Sequence, residues 1–140
     1  MEAVDYTDTF IACSDDCPAL VGIVPPGEES VAARTWRMIA GQPYSYTSGD
    51  VIFEVYADRR GIPTRQRASA RREFYSRPRA CLRSSDLAKR YGWGIHADAD
   101  GRLAVIPKES PEYATLIEGR DHRSRGIAVK VVKAMRSSRK

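Results

Sequence analysis

No apolar run in the 140 residues approaches the roughly 18 that a membrane-spanning helix requires, so no such helix is expected. The opening residues, Met1-Glu2-Ala3-Val4-Asp5, lack the basic and apolar stretches of a secretory leader. A soluble, cytoplasmic, bacterial-type protein is therefore expected. Cysteine is scarce. Cys13, Cys17 and Cys81 cannot all pair within one chain, and without an export signal reduced thiols are the expectation. No Cys-x-x-Cys pair occurs. Cys13, Cys17, Cys81 and His96 are zinc-ligand types, but Pro18 adjoins Cys17 and the spacing is wrong, so no metal and no cofactor is expected. Helix-turn-helix, zinc-finger and RRM-type signatures are missing, as are internal repeats and long linkers. A single domain over residues 1–140 remains, with a short basic tail from about Arg136.

Charge is present but unevenly placed. The formal net charge is +5. Residues 1–58 carry ten acids against Arg34 and Arg37, whereas residues 59–140 carry 21 bases against eight acids. The basic half implies contact with an anion, and the acidic half is equally able to fold against it. Arginine outnumbers lysine 18 to five, which suits forked contacts to carboxylate or phosphate.

Local signals outline an α+β chain. Thr7 to Cys13 reads as a strand ended by Ser14-Asp15-Asp16-Cys17-Pro18. Ser30 is a candidate cap for a helix to Gly41, and Thr47 with Asp50 resembles a capping box for a second helix that Gly61 stops. Residues 63–76 form a third helix whose arginines do not share one side, so a solvated face is favoured over a nucleic-acid stripe. Between Gly92 and Pro107, Asp100-Gly101 marks a hairpin turn. A three-residue loop, Ala99 to Gly101, aligns Trp93, Ile95 and Ala97 with Leu103 and Val105 on one apolar face. Gly94, His96, Asp98, Arg102 and Ala104 then share the other. Ser110-Pro111 starts a further helix, 119–126 is a basic loop, and Ile127 to Val132 is the last strand. The expected fold is a single α+β domain, an antiparallel sheet that includes the 92–107 hairpin with three to four helices packed on it.

The densest gathering of reactive types is Cys81-Leu82-Arg83-Ser84-Ser85 followed by Lys89-Arg90-Tyr91-Gly92-Trp93-Gly94-Ile95-His96. Such a set can hold an anion with its cations and place a titratable imidazole beside it. The structural alternative is a core Trp93, packing glycines and a His96 on the wetter sheet face.

These stretches, with Asp16-Cys17-Pro18, Pro43-Tyr44-Ser45-Tyr46-Thr47-Ser48, Asp50-Val51-Ile52-Phe53, Glu109-Ser110-Pro111-Glu112-Tyr113 and Val132-Lys133-Ala134-Met135-Arg136-Ser137, carry a resemblance. The chain resembles an uncharacterised bacterial family of small proteins known as a domain of unknown function. The likeness spans nearly the whole chain. It implies no activity, ligand or partner, but it places Cys81, Arg83, Lys89 to His96 and Lys133 to Ser137 within the family pattern. Ala88, Gly49 and Cys13 depart from that pattern.

The functional expectation is a pocket for a small anionic molecule, carboxylate or phosphate. Arg83, Lys89 and Arg90 would bind the anion, Tyr91 and Trp93 would wall the pocket, and Tyr44 and Tyr46 would contribute from a loop. Should chemistry follow binding, His96 is the acid–base group. Cys81, its thiol pKa lowered by nearby cations, is an alternative nucleophile. The other reading is a basic module for nucleic acid, in which Tyr91 and Trp93 stack on bases.

Overall fold

The computed structural model describes residues 2–124 and 126–137, so the end of the expected basic tail, Ser138 to Lys140, lies outside the described residues. Its elements are β1 (Thr9–Ala12), α1 (Val31–Gly41), α2 (Ser48–Arg60), α3 (Arg67–Phe74), α4 (Asp86–Lys89), β2 (Trp93–Ala97), β3 (Leu103–Pro107), α5 (Pro111–Ile117) and β4 (Lys130–Lys133). Short 3-10 turns at Thr64–Gln66 and Leu82–Ser84 precede α3 and α4. The result is the expected α+β single domain. Among the described residues, no helix is long and apolar enough to cross a membrane.

Helix ends follow local chemistry. The Ser30 hydroxyl accepts the Ala33 N–H to start α1. At α2 both halves of the capping box form, and Gly61 closes the helix in the left-handed conformation at φ 65°. Ser110 accepts the Tyr113 N–H, with Pro111 in the first turn of α5. The short α4, too brief to show a helical period, is capped by Ser85 accepting from Leu87.

The strands are ordered β3-β2-β1-β4. In the β2–β3 hairpin Ile95 pairs with Val105 and Ala97 with Leu103. Asp98 N–H donates to Arg102 O, and Gly101 stands at φ 79°, as the three-residue loop requires. β1 runs antiparallel to β2 but parallel to β4, so the sheet is mixed and the expectation of an antiparallel one is corrected. The reason is non-local. β2 fills one edge of β1, and a chain returning through α5 meets the other edge running in β1's own direction. β4 also begins three residues later than expected. Ala128 pairs with Arg120, and Val129 N–H donates to Gly119 O, which holds that stretch in a small loop of its own.

Alternation along the strands separates two cores. Ile11, Ile95, Ala97 and Leu103 face α1, α2 and α4, packing with Ile39, Val51, Val55 and Leu82. Phe10, Ala12, Ala104 and Ile106 face the other way, against Leu116 of α5 and Val129. Phe53, Ala57 and Phe74 join α2 to α3. The acidic and basic halves do fold together. Arg67 pairs with Glu54 and Asp58, Arg71 with Glu2 and Asp50, and Asp15 with Lys133 and Arg136.

Candidate functional site

His96 lies on the second face, and it is 0% exposed. The wetter position expected for it is not what the fold provides, because α5 and the 119–129 loop cover this side. Tyr44 enters from the loop between α1 and α2, and its hydroxyl bonds His96 Nδ1 at 2.9 Å. The Tyr44 backbone is left-handed at φ 58°, a strained conformation for a bulky side chain, and its N–H is fixed on Leu103 O at 2.7 Å. Burial pushes the Tyr44 hydroxyl up to about 12 against the pull of Arg123, so it keeps its proton at neutral pH. The Arg123 guanidinium lies 3.7 Å over the Tyr44 ring.

The other imidazole nitrogen meets the loop. His96 Nε2 stands 3.8 Å from the Asp121 carboxylate, too far for a hydrogen bond, and it has no partner. Burial lowers the His96 pKa, with Asp121 pulling the other way, so the ring is neutral at pH 7 and the contact is not an ion pair. Asp121 is 7% exposed, and its carboxylate accepts the Arg123 N–H at 2.8 Å. On its other side His122 Nδ1 lies 4.0 Å away, and it too is buried and unpartnered. The two imidazole rings are 5.6 Å apart. The loop is held in place by Asp121 N–H donating to Ile127 O and by Gly119 in the left-handed region at φ 86°. An open cavity of about 440 Å³ borders Asp121 and His122 of this group, with Thr115 and Arg120 completing its wall.

The remaining residues singled out in the sequence lie elsewhere. Trp93 points to the opposite face from His96, half-buried against Trp36, and its Nε1 donates to Ile23 O at 2.8 Å. Tyr91 O accepts the Ile23 N–H, so a strap at 19–24 covers both aromatics. Arg83 Nε donates to Lys133 O, and its carbonyl accepts the Met135 N–H, which ties down the end of β4. Lys89 is half-buried at the end of α4, and the exposed Arg90 lies 3.7 Å from Asp86. Tyr46 packs against the helix-side core. Cys81 lies with the Tyr6 hydroxyl at 3.1 Å, in the wall of a cavity of about 240 Å³ shared with Val31, Ile52 and Val55. Cys81 and His96 are thus on opposite sides of the sheet, each engaged with a different tyrosine. Of the residues named from sequence, the fold brings together His96 and Tyr44. It adds Asp121, His122 and Arg123 from the basic 119–126 loop. One signal was available: the chain has two histidines, and both end in this group.

A family model described as a family of unknown function (DUF6157) matches residues 1–140, so the chain belongs to that family. No curated protein and no solved structure matches it.

Proposed function

We propose that this member of DUF6157 binds a small anionic molecule, a carboxylate or a phosphate, in the cavity lined by Thr115, Arg120, Asp121 and His122. The observation that carries this reading is a cavity whose wall holds His122 and Arg120, the latter beside Glu118, with the buried His96 behind Asp121. An imidazole and a guanidinium are the donors such a ligand uses. In this arrangement His122 meets the ligand and His96 supports the floor, since His96 is 0% exposed and its Nδ1 is held by Tyr44. Arg83, Lys89 and Arg90 have no part in it, because they belong to the opposite side and to the ends of β4 and α4. The nucleic-acid reading is not taken up, since Arg67, Arg71, Lys133 and Arg136 already face acids of the first half.

The test is an NMR titration with inorganic phosphate and, separately, acetate. Saturable shifts centred on Thr115, Arg120 and His122, weakened by Arg120→Ala, support the reading. Shifts that do not saturate, or that centre on Arg83 and Lys89, overturn it.

A further inference from the structure

Direct binding of an anion here meets an obstacle, because a buried carboxylate, Asp121, stands between the two imidazoles. The same donors suit a cation. One ligand atom from each of His96, Asp121 and His122 lies within 4.8 Å of the others, and among the described residues this is the one such group of three. We propose that His96, Asp121 and His122 bind a divalent first-row transition ion of the zinc type, whose open position faces the cavity.

Four observations support this. Buried ring nitrogens ordinarily have partners, yet His96 Nε2 and His122 Nδ1 have none, and a metal ion is a partner that neither protein nor hydrogen bond supplies. The donor set is two imidazoles and a carboxylate, which matches zinc and its borderline neighbours rather than the oxygen cages of calcium or magnesium. The outer contacts are of the kind metal sites use. With His96 Nδ1–H donating to the Tyr44 oxygen, Nε2 carries its lone pair toward Asp121, and Asp121 is itself oriented by the Arg123 N–H. Finally, Asp121 and His122 border a cavity that Thr115 and Arg120 also line, leaving room for water or an anion's oxygen. Ligand atoms around a tetrahedral ion stand about 3.3 Å apart, so the loop closes by about an ångström on binding. The cysteines form no competing centre. Cys81 lies with Tyr6, while Cys13 is buried where its N–H donates to the Tyr113 hydroxyl.

This inference deepens the reading above by supplying the positive charge that lets an anion lie against Asp121. It depends on that reading only for the occupant of the open position. The experiment is calorimetric titration of the chelator-stripped chain with Zn²⁺, with Co²⁺ as a spectroscopic substitute. One ion per chain is expected, together with the visible bands of low-coordinate Co²⁺. His122→Ala should weaken binding by more than about 100-fold, as should Asp121→Asn, with the folded state of each variant checked by its unfolding transition. Tyr44→Phe, a change to a positioning residue, should weaken it about tenfold and alter the Co²⁺ spectrum. Cys81→Ser should leave it unchanged. Absence of saturable 1:1 binding by the folded wild type overturns the proposal, and so does binding that His122→Ala leaves intact. A parallel titration with inorganic phosphate separates the two readings. Phosphate binding that requires Zn²⁺ supports both, whereas binding to the stripped chain alone sustains the anion and removes the metal.

Discussion

Ile95 and His96 are neighbours on one strand, both 0% exposed, yet they belong to differently built halves of the molecule. On the Ile95 side, α1 and α2 close an apolar core with Val51, Val55 and Leu103, and their N-terminal ends are satisfied by side-chain caps. On the His96 side a seven-residue helix and a loop provide the cover, and two ring nitrogens beneath them are left without partners. Burying an apolar side chain contributes about 1.5–3 kcal/mol, and leaving a buried polar group unpaired costs about 1–3 kcal/mol. Trp36 Nε1 in α1 and Ser48 Oγ in α2 are unpartnered too, so what sets the loop side apart is that its unpartnered atoms are imidazole nitrogens gathered around one carboxylate.

The largest effect that tests this contrast is Ile95→Ala, which should cost about 2–5 kcal/mol in urea unfolding. A loss below about 1 kcal/mol would show that the helix side is not the better packed. On the other face, His96→Leu should cost about 1–3 kcal/mol, because the buried Tyr44 hydroxyl loses its 2.9 Å partner. Combined with Tyr44→Phe the total should fall below the sum of the two single changes, whereas strict additivity would mean that the bond contributes nothing. Gly94→Ala sharpens the comparison on the same strand. A Cβ there would come within 2.4 Å of the Phe10 ring, so a loss of about 1–3 kcal/mol is expected, while wild-type stability would contradict the tight packing of Phe10. The smallest effect concerns pH and the helix side. Burial alone would raise the Asp50 carboxyl, but the Thr47 N–H and the Arg71 guanidinium outweigh it and hold the carboxyl below its ordinary value. A carboxyl lowered in the folded state stabilises above its unfolded value, near pH 4, and that contribution is lost as pH falls through the lower folded value. Asp50→Asn should flatten the acid limb of the stability curve, and an unchanged limb would remove Asp50 from the account.

What could be read from the residues was what the residues settle locally. Ser30, Thr47 with Asp50, Gly61, and Ser110 with Pro111 act within a turn of their own helix, and each was assigned correctly. The 99–101 loop followed from requiring one continuous apolar face. The parallel β1–β4 pairing was not readable, because it depends on where the chain goes after α5. The site divides in the same way. His96 and Tyr44 could be picked out as types, but their contact spans 52 positions. The grouping of His96 with Trp93 was at odds with the strand's own alternation, which sends them to opposite faces. Asp121 and His122 were hidden in a loop whose arginines dominated its appearance, and only the cover they provide over His96 reveals them.

The placement of β1 in the interior of the sheet also dictates an order of events. β1 precedes the other strands, yet its hydrogen-bonding partners begin only at Trp93 (β2) and Lys130 (β4). During synthesis Phe10 and Ile11 therefore wait for strands that emerge much later, and the sheet closes around its first strand only then. Asp121 and His122 follow α5 in the chain, so the donor group needs the β2–β3 hairpin and the segment after α5 both in place.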